Sequence, residues 1–299
     1  MIYCMDKVLV IVVVYNAMQW IKRCFDSIFS SSIPLDVFVV DNGSIDGSQD
    51  YLKSFYPNII FFQSEINLGF GRANNIGMRY ALDNDYDYVY LLNQDAWLMP
   101  DTIEILIGVH KTNPFYGILS PLQMQANMLR LDENFKLCCL GKSNDNVQEG
   151  CFWEGKSDVY SVSYIMAAHW LIGRDCLKKV GGFSPTFPHY GEDNNYANRT
   201  LYHEFAIGVV PNAVAVHDRE YRRTNKARGI YMSYIFILIF LSDIYKPVSK
   251  QWLKVLASTV KTMLFYKSLL PLNYFFRVIT NIQIIRRNMH ESMGLCPFI

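Results

Sequence analysis

The sequence predicts an α/β fold: a mostly parallel sheet flanked by helices, with a separate helical extension at the C-terminal end. Three observations lead there. Strand-like and helix-like segments alternate strictly from Lys7 to Thr112. The first strand is apolar at nearly every position instead of every second one. Charge is also divided along the chain: twelve Lys or Arg but only Asp243 and Glu291 lie from Arg222 onward, leaving 16 basic and 25 acidic residues before it. Alternation with short connections is the signature of a parallel sheet covered on both sides. The charge division marks the C-terminal end as an interaction surface.

Each element has its own reason. "KVLVIVVVY" (Lys7 to Tyr15) is a largely β-branched run, as a strand buried on both faces requires. "AMQWIKRCFDSIFSS" sets Ile21, Cys24, Phe25 and Ile28 on one helical face. "LDVFVVD" is the second strand, ending at Asp41, and "NGSIDGSQDYLKSF" turns into a helix with Ser44 or Asp46 as its expected N-cap. "NIIFFQS", "FGRANNIGMRYALDN" and "YDYVYLL" follow as strand, helix and strand, then "PDTIEILIGVHKT" as a helix with Pro100 in its first turn. Beyond Pro121 the pattern loosens into what reads as an inserted hairpin region up to Ile172. "GGFSPTFPHYGEDNNYANRTLYHEF" is a loop leading into a helix, and "AIGVVPNAVAVHD" reads as a strand pair about a Pro-Asn turn.

Composition bounds the rest. With 299 residues, 51% of them apolar, and 20 Tyr and 19 Phe, the chain can bury a substantial core, which excludes a disordered class. Its seven Cys are odd in number and form no CxxC. Asp6 and Lys7 precede the first apolar run and no small-residue cleavage site follows it, so reduced thiols and a cytoplasmic location are expected. No window of about 18 uninterrupted apolar residues occurs, and a membrane span is not expected.

Three polar clusters fall at predicted strand ends: Tyr15-Asn16, Asp41-Asn42-Gly43-Ser44 and Asn93-Gln94-Asp95. In open α/β sheets ligands bind beyond the carboxyl ends of the strands. Asp41 and Asp95 would edge such a cleft together, and carboxylates so placed repel one another unless a cation or hydrogen-bond donors enter. A hard divalent cation completed by phosphate oxygens answers that need. "INLGFGRANNIG" (Ile66 to Gly77) is a poor dinucleotide fingerprint, since it follows the third strand and lacks the third Gly. It still places Arg72 and Asn74 at a helix N-terminus suited to an anion. Glu192 and Asp193 head another helix, where favourable charge against the helix dipole is the plainer reading and a general base on a mobile loop the sharper one. His217, after an apolar strand, is by default a core or surface residue; beside a metal-binding Asp it becomes a nitrogen ligand.

The stretches "VVVYNAMQWIKRCFDSI", "VFVVDNGSIDGSQDYL", "NLGFGRANNIGMRYAL", "YVYLLNQD", "GGFSPTFPHYGED" and "AVAVH" occur in the order and spacing of the family 2 inverting glycosyltransferases, and most resemble rhamnosyltransferase-like bacterial members that build surface polysaccharides. The resemblance covers about Lys7 to Asp218. It implies the Rossmann-like GT-A fold of nucleotide-diphospho-sugar transferases, with a catalytic domain over residues 1–221. A nucleotide-sugar half runs to about 120 and an acceptor half to 221, ahead of a basic amphipathic helical region, 222–299. It implies that Tyr15 and Asp41 contact the base, Asp41 accepting from a pyrimidine imide N–H. Arg72 and Asn74 line the donor pocket. Asn93-Gln94-Asp95 takes the place of the metal-binding Asp-x-Asp, with Asn93 departing from the Asp of many members. Asp95 and His217 would hold Mn²⁺ or Mg²⁺, Asp193 would be the base with Glu192 supporting it, and His169-Trp170 would line the acceptor pocket. The implied donor is dTDP- or UDP-linked, such as dTDP-rhamnose. The implied acceptor is a hydroxyl of a lipid-linked or oligosaccharide glycan in O-antigen or capsule synthesis.

Lys250, Lys254, Lys261 and Lys267 punctuate the apolar residues of "YIFILIFLSDIYKPVSKQWLKVLASTVKTMLFYKSLLPLNYFFRVITNIQIIRR", which reads as two or three helices broken near Pro247 and Pro271. They pack on the catalytic domain or a second subunit, or lie on anionic lipid at the cytoplasmic face of the inner membrane. No base-reading motif accompanies the charge, and nucleic acid is not an expected partner. Two rival classes remain. A sugar-phosphate nucleotidyltransferase would carry a Gly-rich loop with Arg and Lys after its first strand, where this chain has Tyr15-Asn16. A non-catalytic sugar-nucleotide-binding protein would have no need of Asp95, Asp193 and His217 together.

Overall fold

The computed structural model describes residues 5–140, 157–219, 225–246 and 251–299. Cys4, Cys151, Arg222, Arg223, Pro247, Lys250, the expected boundary at 221/222 and part of the expected hairpin region lie outside the described residues. The first half alternates as its sequence dictates: β1 (Val8–Val14), α1 (Met18–Phe29), β2 (Asp36–Asp41), α2 (Ser48–Phe55), β3 (Ile60–Gln63), α3 (Phe70–Asp83), β4 (Tyr88–Asn93), β5 (Ala96–Leu98) and α4 (Thr102–Thr112). β1 pairs in parallel with β2 on one side and β4 on the other, and β3 joins β2. Its even-numbered valines enter one core cluster while Leu9 and Ile11 enter the other, so both faces of the strand are covered. α1 buries Ile21, Cys24, Phe25 and Ile28, the face its spacing predicts.

The second half departs from the sequence reading. β6 (Tyr116–Met124), β7 (Tyr160–Val162), β8 (His169–Gly173) and β9 (Ala206–His217) extend the sheet in the order β3-β2-β1-β4-β8-β6-β9-β5, with β7 also on β9. The described part of the expected hairpin region includes a helix, α5 (Glu133–Leu140). Asp132 accepts from the Phe135 backbone N–H at 2.8 Å, and Leu131, Phe135 and Cys139 are buried at helical spacing. The expected strand pair about Pro211-Asn212 is the single strand β9. Its register on β6 jumps from Pro121↔Val210 to Leu122↔Val214, so the Pro-Asn step is a bulge within one strand.

Two cap expectations are also corrected. Gly47, at φ 90°, precedes α2, and neither Ser44 nor Asp46 occupies that position. Asp46 accepts from Ser48 N–H at 3.1 Å and also from Met18 N–H at 3.0 Å, so it serves the start of α1 as well. Pro100 lies before α4, whose N-cap is Asp101.

α6 (Arg174–Val180) and α7 (Glu192–Tyr202) lead to a C-terminal layer of α8 (Lys226–Leu241), α9 (Trp252–Tyr266) and α10 (Leu270–Glu291), with Pro271 in the first turn of α10. This layer is tied to the sheet domain. Phe187 sits in the core of the three helices, and the Asn288 amide donates to Thr186 Oγ1 at 2.9 Å. Gly182 N–H donates to the Pro297 carbonyl at 2.9 Å. No described helix is long and apolar enough to cross a membrane.

Candidate active site

Strand register builds the centre of the site. β5 runs antiparallel to β9 with Ala96 opposite His217, so Asp95 and His217 meet at one end of the sheet although more than a hundred residues separate them. Asp218 N–H donates to the Asp95 carbonyl at 2.8 Å and locks that corner. Asp95 Oδ1 lies 3.4 Å from His217 Nε2, and the Asn93 amide nitrogen lies 3.5 Å from the same nitrogen. Burial opposes ionisation of Asp95, but the His217 imidazole, a backbone N–H and the Arg219 charge together outweigh it and hold the carboxyl below its ordinary range.

These groups edge a cleft of about 1570 Å³ that lies where β1 and β4, neighbours in the sheet, send their chains to opposite sides. A cleft of that size exceeds the roughly 300–1,000 Å³ of a single small-ligand site and accommodates a donor and an acceptor together. Tyr15, exposed at the end of β1, lines it, and its backbone is clamped by Gln94, which accepts from Tyr15 N–H at 2.7 Å and donates to its carbonyl at 3.2 Å. Arg72, exposed in the first turn of α3, lines the opposite wall. Gly69 joins that wall at φ 81°, where an added Cβ would come within 2.5 Å of the Pro188 carbonyl oxygen; only glycine lets α3 start so close to the 188–190 segment.

Two expected donor contacts sit elsewhere. Asn74 is buried and donates to the Phe70 carbonyl of its own helix at 3.0 Å; it does not line the cleft, because its position on α3 faces the core. Asp41 is fully buried behind the wall. Its Oδ2 accepts from Gly43 N–H, Ser44 N–H and the Gln49 amide, the last at 2.7 Å, which holds the turn after β2; its Oδ1 has no hydrogen-bond partner.

Glu192 and Asp193 also lie behind the lining residues, beyond Pro188, His189 and Tyr190, which form the wall itself. Gly191 at φ 88° turns the chain into the head of α7, where Glu192 is buried and Asp193 half-buried. Tyr164 donates its hydroxyl to Asp193 Oδ2 at 2.8 Å, and Asn194 N–H donates to Oδ1 at 2.7 Å. Burial raises the proton affinity of Asp193, partly countered by those donors. Burial and the neighbouring Asp193 charge push Glu192 up to about 8.

The acceptor role expected of His169 and Trp170 is overturned. Both are fully buried in β8. His169 bonds through Nδ1 to Tyr90 Oη and through Nε2 to the Val216 carbonyl, each at 3.0 Å, and burial lowers it to about 3, so it is a neutral prop for the strand that carries His217. Trp170 packs against Phe183 and Tyr196. Residues missed by the sequence reading fill the other end of the cleft: Asp132, Arg219, Tyr190 and Arg228. Arg219 Nε lies 3.1 Å from Asp132 Oδ2 and feeds positive charge toward Asp95. Arg219, two residues past His217, could have been noticed; Asp132 was hidden in a segment read as hairpins.

The donor set at 95 and 217 fits a divalent cation. It offers one carboxylate oxygen and one imidazole nitrogen on adjoining strands, while His217 Nδ1 is buried without a hydrogen-bond partner, leaving Nε2 as the nitrogen aimed at Asp95. Among the described residues no three His, Cys, Asp or Glu side chains cluster; a cation at this corner would take Asp95 and His217 and leave its other positions to a phosphate-bearing substrate.

Sheet order and a cleft at the strand ends define the class: this is the GT-A fold. Residues 9–131 match the family described as Glycosyl transferase family 2, and the chain is similar to a rhamnosyltransferase along most of its length. The N-acetylglucosaminyl-diphospho-decaprenol L-rhamnosyltransferase of Mycobacterium tuberculosis is 24% identical over 260 residues, 80% of this chain and 85% of that one. The mannosyltransferase PcManGT of Pyrobaculum calidifontis, solved with GDP-Man and Mn²⁺, superposes with a TM-score of 0.62 at 18% identity over 97% of this chain and 86% of its own. S. aureus TarS 1-349, solved with UDP-GlcNAc, gives 0.55 at 14% identity over 82% and 69%; of another solved form of TarS the chain spans 41%. The two structural likenesses establish the fold.

Proposed function

We propose that this protein moves a sugar from a nucleotide-diphospho-sugar to a hydroxyl of a lipid-linked or oligosaccharide acceptor, by a single displacement that inverts the anomeric carbon. The observation that carries the reading is the Asp95–His217 pair at the strand ends of a cleft that also presents Arg72 and Arg219. Asp95 and His217 would hold Mn²⁺ or Mg²⁺, which when bound offsets charge on the departing diphosphate. Arg72 and Arg219 add positive charge from the cleft walls. Tyr15 packs on the base, and Asp41 offers its unpaired Oδ1 to an imide N–H once the turn after β2 shifts off it.

Asp193 takes the proton of the attacking hydroxyl, its proton affinity raised by burial toward what a base at neutral pH requires. The 188–190 wall must swing aside for the acceptor to reach it. A leaving diphosphate needs no protonation, so one working carboxylate suffices, unlike the pair of a glycosidase. A dTDP- or UDP-linked donor, dTDP-rhamnose first, is supported by the rhamnosyltransferase relative, whose name also specifies a polyprenyl diphosphate acceptor. An acceptor of that kind would place the protein on the cytoplasmic face of a membrane, in synthesis of a surface glycan such as O-antigen or capsule.

The test is a thermal-shift panel of nucleotide-diphospho-sugars with and without Mn²⁺, followed by metal-dependent hydrolysis of whichever donor stabilises the protein. A panel in which no nucleotide-sugar raises the melting temperature in either metal ends this reading.

A further inference from the structure

α9 is packed inside out. Its buried positions are Val255, Thr259 and Thr262, and the two threonine hydroxyls donate to carbonyls of their own helix, Val255 at 2.9 Å and Ser258 at 2.8 Å. Its outward face carries Leu253, Leu256, Val260, Leu264 and Phe265, with Leu253 82%, Leu264 74% and Phe265 75% exposed. A helix on the surface of a globular protein in water does the reverse, turning its apolar stripe to the core. Here the apolar stripe runs at positions 253, 256, 260 and 264, the i, i+3, i+7 and i+11 of one helical face, and is continued past the helix end by exposed Leu269. An apolar stripe of this length left in water marks a docking surface.

Charge selects what docks. Residues 252–266 contain Lys254 and Lys261 and no acid, and Lys267 follows directly. The two acids of the described C-terminal layer are each engaged by a near neighbour, Asp243 by Lys246 at 2.6 Å and Glu291 by Arg287 at 3.5 Å. Two copies facing one another through this stripe would bring like-charged lysines together, whereas an anionic surface would be drawn to them. The helix is about 22 Å long at 1.5 Å per residue, short of the ~30 Å hydrocarbon thickness, and lysines punctuate it; it can lie in the headgroup plane but not cross.

We propose that α9 is the membrane-docking element of this protein, lying flat on an anionic bilayer with Leu253, Leu256, Val260, Leu264 and Phe265 inserted and Lys254, Lys261 and Lys267 on lipid phosphates. The inference deepens the proposed function by naming the surface that meets the membrane, yet it stands on the helix alone. Vesicle binding is measured without turnover, so either idea can fail without the other.

The experiment is co-sedimentation of the full chain with phosphatidylcholine vesicles and with vesicles containing about 30% phosphatidylglycerol, a surface charge near that of a cytoplasmic leaflet. Binding is expected to the anionic vesicles, at least tenfold weaker to the neutral ones, and weaker as salt rises. Leu253→Glu with Leu264→Glu should abolish it without moving the melting temperature, since both side chains are exposed. Lys254→Glu with Lys261→Glu should remove the preference for anionic lipid. Three results would overturn the proposal: no wild-type binding to anionic vesicles, unchanged binding by the leucine variant, or a wild-type dimer in solution that the leucine variant converts to monomer, which would assign the stripe to a second copy.

Discussion

Asp95 and the Glu192–Asp193 pair are acidic sites of one enzyme with opposite proton affinities. All three carboxylates are largely withdrawn from water. Asp95 has an imidazole 3.4 Å away and stays below the ordinary carboxylate range. Asp193 has a hydroxyl donor but also another acid as its sequence neighbour, and both members of that pair are raised. The difference teaches that burial raises every one of these carboxylates and that the donors and charges around each decide how far: the groups about Asp95, His217 foremost, reverse the rise, whereas the donors to Asp193 only reduce it.

The comparison can be broken most severely at Asp193. Asp193→Asn should lower kcat by about 10²–10⁴ while donor affinity measured by calorimetry stays close to wild type; equal losses in both would assign the residue to donor binding instead. Asp95→Ala comes next. It should weaken donor binding by roughly tenfold or more with Mn²⁺ present and change it little in chelator, because the role proposed for the carboxylate runs through the metal. Identical titrations with and without metal for wild type would remove Asp95 from that role.

Glu192→Gln tests the proton accounting. With a folded value of about 8 against an unfolded value near 4.3, the native state holds a proton that the unfolded chain has released. Stability from this group is therefore full below the unfolded value and falls as pH rises toward 8, by at most about 1.4 kcal/mol per pH unit. Urea midpoints at pH 5 and pH 8 should differ less in the variant than in wild type. The smallest change is expected for Tyr164→Phe. It deletes a hydrogen bond to a charged acceptor, worth about 1.5–3 kcal/mol, and should move the acidic limb of the kcat/KM profile to higher pH with KM for donor unaltered. A profile that keeps its acidic limb would show that Tyr164 does not tune the base.

How much of this the sequence disclosed varies by region. β1 to α4, apart from the three-residue β5 that the sequence reading missed, were readable because their elements are local: a β-branched run, a single apolar helix face, a glycine turn. Asp95 and His217 were readable as residues, and β5–β9 pairing brings them together. Asp132 was not, since its ion pair with Arg219 depends on the start of α5, a helix of eight residues with little periodicity in a stretch of mixed pattern. His169 and Trp170 carry polar atoms in an apolar strand, and the sequence could not say that Tyr90 and the Val216 carbonyl would satisfy the histidine inside the core. The outward apolar stripe of α9 was visible as lysines among leucines, but only packing shows that the helix hides its threonines.

The seam between β5 and β9 has a consequence for assembly. The first four parallel strands can zip from neighbouring segments, but Ala96 finds His217 only after nearly the whole sheet has closed a long loop, the slowest kind of contact to form. On the role proposed for Asp95 and His217, cation affinity should therefore be the last property regained on refolding, arriving after circular dichroism has already levelled off, and a chain stalled before that step would have β1 to β4 formed with Asp95 and His217 still apart.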